Sequence, residues 1–276
     1  MKIFGKRLSI DIPLLTSSAV SYMASAEVSA IDVQAAEHPY FQTLRKQCEP
    51  KMEVRGDMAF IPVQGALAYN PDPWEMLYGG MEDSRAVLKM FQDAYGNSEV
   101  KGVLVKMDTP GGMMIGGPEI SDMVKACREA GKPVVTHIGG LGASLGYMIA
   151  APSTRIVSNR SAISGSIGVI ASLADYSGYL EKLGIKFEVF TNKEAIYKGA
   201  GALGTTLSDP QREQIQASIE SAFAMFKSTV LQSRPGVKPE AMQGQTFRGE
   251  EAKKVGLVDA IGDENYAVQL LRSNMR

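Results

Sequence analysis

Ser144 lies in a spacing of glycines that is typical of a catalytic serine. Residues 142–146 read Gly-Ala-Ser-Leu-Gly, which fits the G-x-S-x-G pattern of a nucleophile on a tight turn between a strand and a helix. A serine hydroxyl is a weak nucleophile and needs an adjacent base. The pattern therefore raises the question of which side chain takes the proton of Ser144.

Neither histidine of the chain is a strong candidate for that base. His38 and His137 both precede Ser144, whereas the histidine of an α/β-hydrolase follows its serine. A histidine-first order, as in chymotrypsin-like enzymes, stays open. His38 lies in a polar stretch, however, and His137 lies in "KPVVTHIGG", which predicts a buried strand where its ring nitrogens bond locally. Either Ser144 is not catalytic, or its base is a lysine, which is a known variant of the triad.

Composition narrows the class of protein. The 276 residues are 45% hydrophobic and 21% charged, with a net charge of −1, which suits one globular domain, alone or with an extension. No basic block is present, so nucleic-acid binding has no electrostatic support. The two cysteines, Cys48 and Cys127, lack the spacing of a disulfide framework or a metal site and fit a reducing cytoplasm. We therefore expect no metal and no other cofactor.

No membrane span is predicted, because no run approaches about 18 consecutive apolar residues. The first residues carry positive charge, as a signal peptide does. Asp11 and Pro13 nevertheless interrupt any apolar core in this stretch, which argues against a cleaved signal peptide.

The alternation of predicted strands and helices indicates an α/β fold with a mainly parallel sheet. Residues 1–50 lack a sustained period and are interpreted as an N-terminal extension with some helix, and residues 51–276 as the folded domain. Beyond Ser144, the patterns predict two short strands within residues 154–171, a helix at "YLEKLG" and a strand at "KFEVFT". A long helix is predicted with Asp209 as its N-cap and Pro210 in its first turn. Its predicted apolar face consists of Ile215, Ile219, Phe223, Phe226 and Val230.

Five motifs resemble those of one family of serine peptidases. They are "DTPGG" (108–112), "GASLGYMIAA" (142–151), "SGSIGV" (164–169), "YKGAG" (197–201) and "FRGEEAKKVGLVDAIG" (247–262). Their order and spacing resemble those of the signal peptide peptidase A family, and look closest to its phage branch of head maturation (capsid) proteases. The resemblance implies a ClpP/crotonase-type fold built from repeated ββα units, and a Ser-Lys dyad.

The resemblance identifies Ser144 as the nucleophile and Lys198 as the base. The start of a helix would stabilise an alkoxide at Ser144, although an ordinary N-cap serine is the alternative. A lysine base must be neutral near pH 7, so burial away from carboxylates must lower its pKa from about 10.4 to roughly 7–8. Lys198 fits because the nine positions after it carry no charge and the only nearby carboxylate is Glu194. A solvated loop lysine is the alternative.

The resemblance also implies supporting roles for a second serine and two glycines. Ser166 matches the third residue of the family's site, whose hydroxyl would orient the lysine; a turn serine is the alternative. Gly111 and Gly112 match the oxyanion-hole segment. One of their amides, together with that of Leu145, would bind the oxyanion, and such a donor is worth about 3 kcal/mol of barrier. A plain turn at the end of a strand is the alternative.

The segment after these glycines is apolar and is a candidate for substrate binding. Met113, Met114 and Ile115 would line a groove for a substrate side chain, or would belong to the core. A peptide substrate is expected to bind in an extended conformation along a strand edge.

The resulting expectation is an ATP-independent serine endopeptidase that forms a homo-oligomer with sites near its subunit interfaces. By family likeness, it would process scaffold or portal-associated proteins in a phage prohead or the host cytoplasm. A bacterial signal-peptide-degrading peptidase is an alternative, although we predict no membrane span here that would correspond to the anchor of those enzymes. Another departure is Leu145, because many family members have glycine there.

Two further alternatives come from other classes of protein. A crotonase-type acyl-CoA enzyme would share the fold, but it normally places carboxylates at its site, and none adjoins Gly112 or Ser144 in sequence. A non-catalytic assembly protein could also retain the fold.

Overall fold

The computed structural model describes residues 2–3, 6–7 and 39–275. The chain divides into two compact units. The smaller unit comprises Met1–Gln42 with Ser172–Gln214, and the larger unit comprises Thr43–Ala171 with Ile215–Arg276. The division at residue 50 stays a prediction, since most of residues 1–50 lie outside the described residues.

The described residues form eleven strands and nine α-helices. The strands are β1 (Lys2–Ile3), β2 (Lys6–Arg7), β3 (Glu53–Arg55), β4 (Met58–Ala68), β5 (Met81–Asp83), β6 (Gly102–Gly112), β7 (Val134–Ala143), β8 (Arg155–Ser158), β9 (Ile163–Gly165), β10 (Thr246–Arg248) and β11 (Ala260–Ile261). The helices are α1 (Pro39–Cys48), α2 (Pro73–Gly79), α3 (Ser84–Gly96), α4 (Gly117–Glu129), α5 (Leu145–Ala150), α6 (Ser177–Lys182), α7 (Asp209–Ser233), α8 (Gly249–Lys254) and α9 (Glu264–Asn274). A single 3-10 turn, Pro239–Ala241, follows α7.

A sheet of nine strands forms the centre of the larger unit. Its main path runs β10-β9-β7-β6-β4-β3, with β5 beside β4, β8 beside β7 and β11 beside β8. The pairs of β4 with β6, β6 with β7, and β7 with β8 and β9 are parallel, whereas β3 and β10 pair antiparallel at the two ends. The sheet is therefore mainly parallel, as predicted.

Register shifts divide the long strands into two segments each. The pairing of β4 with β6 shifts between Gln64 and Ala66, and that of β6 with β7 shifts between Met107 and Thr109. The first segment of β7 pairs with β8 and its second segment pairs with β9. A helix follows β6 and another follows β7, so two strand segments and one helix form the repeating unit. The α/β fold of ClpP/crotonase type, with its ββα units, is confirmed.

The central strands are buried on both faces. Val103 and Val105 of β6 belong to the larger apolar cluster, which includes residues of α3, α4 and α5. Leu104, between them, belongs to a second cluster with Leu271 of α9. Two covered faces explain why such a strand is a continuous apolar run rather than an alternating one.

The two short strands predicted within residues 154–171 and the helix at "YLEKLG" are present as β8, β9 and α6. The strand predicted at "KFEVFT" is wrong, because residues 186–191 have no regular secondary structure. Phe187 and Val189 are exposed there. Their alternation favours a strand, but a strand also needs a hydrogen-bonding neighbour, and the smaller unit pairs none with it among its described residues.

The predicted long helix is present as α7, with a small correction at its start. Asp209 is the first helical residue rather than the N-cap, because the carbonyl of Ser208 already accepts the amide of Arg212 at 3.0 Å. On its predicted apolar face only Phe226 and Val230 are fully buried. None of the helices within the described ranges has the length and apolarity to cross a membrane.

Candidate active site

Ser144 has a strained backbone between β7 and α5. Its φ of 51° and ψ of −126° are unusual, since among the described residues only Asn70, Ser144 and Ser166 combine a side chain with positive φ. Such a conformation costs on the order of 1–3 kcal/mol. An ordinary N-cap serine has an extended backbone and bonds an amide of the first helical turn, whereas Ser144 makes no side-chain cap hydrogen bond. The half-buried hydroxyl is therefore not used to cap α5.

The glycines of the G-x-S-x-G motif are required by close packing. A Cβ on Gly142 would lie 2.8 Å from Cδ1 of Ile138, and a Cβ on Gly146 would overlap the Cγ2 methyl of Thr109. Leu145, between Ser144 and Gly146, is fully buried. Its side chain occupies the place where Gly117, at the start of α4, would carry a Cβ.

The end of β6 lies directly against Ser144. Gly111 has a φ of 98°, and a Cβ there would lie 2.6 Å from the Cβ of Ser144 and 2.8 Å from the amide nitrogen of Leu145. A Cβ on Gly112 would overlap the carbonyl oxygen of Leu67 on the other side. Both glycines are thus held where no side chain fits, and Gly111 is the one that lies directly against Ser144 and Leu145.

Thr109 holds this glycine segment, a role that was not predicted. Its hydroxyl donates to the carbonyl of Gly65 at 2.5 Å and accepts the amide of Gly111 at 3.1 Å. The side chain is completely buried. The signal was present in "DTPGG", because a threonine two residues before a glycine can bond that glycine's amide in a local turn.

Ser166 lies beside Ser144 at the end of the neighbouring strand. The parallel register pairs Gly142 with Ser164 and Ala143 with Gly165, so Ser144 and Ser166 directly follow the ends of two neighbouring strands, which lie about 5 Å apart. The amide of Ser144 donates to the carbonyl of Gly165 at 2.9 Å. Ser166 has a φ of 52°.

Lys198 belongs to the smaller unit, whereas the other predicted residues belong to the larger one. It is exposed and borders a cavity of about 530 Å³ in the smaller unit. The cavity is lined mainly by apolar side chains, which include Phe187, Val189 and Leu203. The loop around the lysine is held by two bonds: its amide donates to the carbonyl of Ala195 at 3.0 Å, and its carbonyl accepts from Gln211 at 3.2 Å.

Comparison with known proteins identifies the family. The model of Peptidase family S49 matches residues 126–276, which is more than half of the chain and includes Ser144, Ser166 and Lys198. The chain belongs to peptidase family S49.

Relatives of the S49 chain occur in several kinds of organism. It is 35% identical over 193 residues to a putative protease of Methanocaldococcus jannaschii, covering 69% of this chain and 61% of the relative. It is 33% identical to a putative signal peptide peptidase SppA of Enterococcus faecium, covering 68% and 54%. It is 28% identical to the capsid assembly protease C of Escherichia phage lambda, covering 80% and 50%. The chain thus spans between half and two thirds of these relatives' lengths.

Among solved structures, an enoyl-CoA hydratase from Shewanella pealeana ATCC 700345 matches with a TM-score of 0.48 at 10% identity. The match covers 86% of this chain and 78% of that chain.

Hydrogen bonds to residues near the C-terminus of the S49 chain hold helix α5 in place. The hydroxyl of Tyr147 donates to the carbonyl of Leu257 at 2.7 Å, and burial raises the pKa of Tyr147 well above its ordinary value, so the phenol stays protonated. At the end of α5, Nε of Arg234 donates to the carbonyl of Ala151 at 3.0 Å. Nη1 of the same guanidinium bonds Asp259 at 2.6 Å.

The apolar segment after the glycines is divided between core and solvent. Met113 and Ile115 are exposed, 55% and 64% respectively. Met114, between them, is half-buried and packs against the main core. Met113 is thus the better placed of the two predicted methionines to contact a substrate.

His137 is a buried strand residue, as predicted. It is 6% exposed on β7, and its Nε2 lies 3.1 Å from Oδ1 of Asn159. His38 lies outside the described residues. Within those residues, the acidic, histidine and cysteine side chains form no group of three that could hold a metal ion.

Proposed function

We propose that this S49 chain is a serine endopeptidase in which Ser144 is the nucleophile and Lys198 is the general base. The observation that carries the proposal is the backbone of Ser144. Its positive φ, its place at the start of the buried helix α5 and its hydroxyl free of any cap hydrogen bond are the features of a nucleophile on a strained strand-to-helix turn. Membership of a peptidase family supports this interpretation.

The proposed reaction proceeds through an acyl-enzyme. Oγ of Ser144 attacks the carbonyl carbon of the scissile peptide bond while Nζ of Lys198 accepts the hydroxyl proton. The tetrahedral intermediate collapses, the C–N bond breaks, and the ammonium of Lys198 returns the proton to the leaving amine. A water molecule then attacks the acyl-enzyme with Lys198 again as base, which releases the acid and restores Ser144.

The amides of Leu145 and Gly112 are the proposed oxyanion donors. The first amides of a helix have no acceptor within it, which leaves that of Leu145 available. The amide of Gly111 already donates to Thr109. The amide of Met113 donates to the carbonyl of Leu67 at 2.9 Å. Because successive amides of an extended strand point in opposite directions, we infer that the amide of Gly112 faces away from β4, on the side where β7 lies.

Assembly is the proposed source of burial for the lysine. A neutral amine near pH 7 requires removal from water, and Lys198 is exposed in the single chain. The smaller unit also leaves several large apolar side chains in solvent. The exposed fractions are 88% for Phe190, 55% for Ile196 and 52% for Tyr197. We therefore propose a homo-oligomer whose interfaces cover this surface and lie close to the active sites, with Ser166 orienting the lysine amine.

The proposed substrates are proteins, bound in an extended conformation across Met113. Similarity to the lambda capsid assembly protease supports a role in phage head maturation, acting on scaffold or portal-associated proteins. Similarity to a putative signal peptide peptidase supports the alternative of a bacterial enzyme that degrades signal peptides.

The proposal predicts that Ser144→Ala and Lys198→Ala each abolish cleavage of an unfolded protein such as casein. A fluorophosphonate should label wild type at Ser144, label Lys198→Ala far more slowly and leave Ser144→Ala unlabelled. Lys193→Ala removes an exposed lysine from the same segment and is the matched control, which should cleave at the wild-type rate.

Undiminished cleavage by Ser144→Ala would overturn the peptidase proposal. Binding of acyl-CoA thioesters without proteolysis would favour a crotonase-type enzyme, and head assembly without any cleavage would favour a structural role. An assembled particle in which Nζ of Lys198 remains in solvent, away from Oγ of Ser144, would exclude this lysine as the base.

A further inference from the structure

We propose that Thr109 is a positioning residue that sets the oxyanion hole relative to the nucleophile. The inference rests on the proposed peptidase function and adds a residue that the motif comparison leaves without a role. Thr109 contacts both the glycine segment at the end of β6 and the helix that begins after Ser144. It is not proposed to touch the substrate.

The hydroxyl of Thr109 fixes the glycine segment. It donates its proton to the carbonyl of Gly65 at 2.5 Å and accepts the amide of Gly111 at 3.1 Å. Its complete burial means that water cannot replace either bond, so a buried polar group left without its partner would be costly. These two bonds fix the peptide between Pro110 and Gly111, and the same hydroxyl lies 3.5 Å from the carbonyl oxygen of Gly111, which belongs to the peptide that carries the Gly112 amide.

The methyl group of Thr109 fixes the nucleophile helix. Its Cγ2 occupies the space that a side chain at Gly146 would need. In the register of β6 with β7, Thr109 pairs with Gly142, the first glycine of the motif. Thr109 thus lies against both sides of the turn that carries Ser144: it pairs with Gly142 in the strand before the serine, and its methyl group lies against Gly146 in the helix after it.

Both register shifts of the long strands occur next to Thr109. The shift between Gln64 and Ala66 leaves Gly65, the acceptor of the Thr109 hydroxyl, outside the ladder. The shift between Met107 and Thr109 lies immediately before it. The backbone pairing of β6 is interrupted here, and the Thr109 hydroxyl bonds Gly65 and Gly111 in its place. The role of Thr109 is therefore specific to this end of β6.

The consequence concerns the transition state more than substrate binding. An oxyanion donor is effective only when it is held at hydrogen-bond distance from the developing charge, and loss of one donor costs about 100- to 1000-fold in kcat. A change in the peptide after Gly111 would move the Gly112 amide without removing it. We therefore expect an effect on kcat that is smaller than full loss, with little change in KM.

The test compares three variants with wild type. Thr109→Val keeps the shape and removes the hydroxyl, Thr109→Ser keeps the hydroxyl and removes the methyl, and Thr136→Val is the matched control. Thr136 is also fully buried, and its hydroxyl bonds Ser153 at 2.7 Å, in the first segment of β7. The measurements are kcat and KM for a peptide, the rate constant of fluorophosphonate labelling at Ser144, and the thermal midpoint.

Thr109→Val should lower kcat and the labelling rate about 10- to 100-fold while KM changes less than about threefold. Thr109→Ser should restore most of both rates. Thr136→Val should lower the thermal midpoint about as much as Thr109→Val does, but should keep the wild-type kcat and labelling rate. Wild-type kcat and labelling in Thr109→Val, or an equal loss in Thr136→Val, would overturn the proposal.

A second comparison applies if Thr109→Val does not fold. Thr109→Ala and Thr109→Ser both remove the methyl, and only the serine keeps the hydroxyl. Equal labelling rates in these two variants would overturn the proposal, and a faster rate in the serine variant would support it. Failure of the peptidase proposal itself is separate, since wild type would then show neither cleavage nor labelling at Ser144.

Discussion

Ser144 keeps its strained conformation because its neighbours hold it on several sides. Its amide donates to Gly165, and its carbonyl accepts the amide of Met148 at 3.1 Å. Gly111 lies against its Cβ. Strain of this kind persists only where the surroundings determine the conformation, and here the surroundings are two strands and one helix. In this conformation the side chain makes no hydrogen bond to the first turn of α5.

Glu82 on β5 is a buried acid outside the proposed reaction. It is 7% exposed, its Oε2 accepts the amide of Gln64, and its Oε1 has no hydrogen-bond partner within the described part of the chain. Burial raises the pKa of Glu82 from 4.5 to about 8. The folded chain therefore keeps a proton that the unfolded chain loses at lower pH.

This difference predicts a stability that falls as pH rises. Between pH 4.5 and about 8, the folded state binds up to one more proton than the unfolded state, so Glu82 lowers the free energy of unfolding by up to about 1.4 kcal/mol per pH unit. Glu82→Gln should remove this slope, as measured by urea unfolding at a series of pH values. Glu99→Gln, on the surface, controls for the change of net charge. Parallel curves for wild type and Glu82→Gln would contradict the prediction.

At the scale of elements, the short helix α5 depends on the end of α7. Arg234 follows α7, is 8% exposed, and bonds the carbonyls of Ala151 and Ser153 at 3.0 and 3.2 Å. A cation at the C-terminus of a helix is favourable, and Asp259 balances its charge at 2.6 Å. The helix that follows the nucleophile is thereby tied to a segment far along the chain.

Replacing Arg234 should weaken the fold strongly. Arg234→Met would leave two buried carbonyls unpaired and Asp259 without its closest cation, so we expect a loss of about 2–4 kcal/mol of unfolding free energy. Arg248→Met is the control, because Arg248 is exposed and makes one bond to the carbonyl of Ser161. Urea unfolding would measure both variants. An equal and small effect in the two would show that the Arg234 bonds contribute little.

The elements that could be predicted are those with strong local patterns. The apolar run of β6 and the start of α7 near Asp209 follow from composition and spacing. The motif glycines indicated the turn at Ser144, but not that Gly146 is required by Thr109. The strand predicted at residues 186–191 failed because pairing depends on a partner that local sequence does not specify. The exposure of Lys198 could not be predicted from local sequence patterns either, since burial of a lysine depends on tertiary or quaternary contacts.

At the scale of the whole molecule, the smaller unit leaves apolar surface exposed. Phe187 and Val189 line its cavity beside Lys198, and Phe190 next to them is 88% exposed. Contiguous exposed apolar surface indicates a site of interaction. The proposed homo-oligomer would cover this surface and remove water from the lysine in one step.

Activity should therefore depend on assembly. Phe190→Glu places a charge on the proposed interface, and we expect a shift towards monomers in sedimentation together with a loss of cleavage of at least about tenfold at low protein concentration. Val54→Glu changes an exposed apolar residue of β3 in the larger unit and should behave as wild type. A wild-type monomer with full activity at every concentration would refute the dependence on assembly.

The contact of Leu145 with Gly117 couples the sizes of two residues that are distant in sequence. The leucine side chain fills the space over the glycine, so Gly117→Ala should be harmful in this chain and tolerated once position 145 is reduced to glycine. Relatives with glycine after their serine are then free to carry a larger residue at the start of the neighbouring helix. Covariation of these two positions across the family would be the evolutionary trace of this fit.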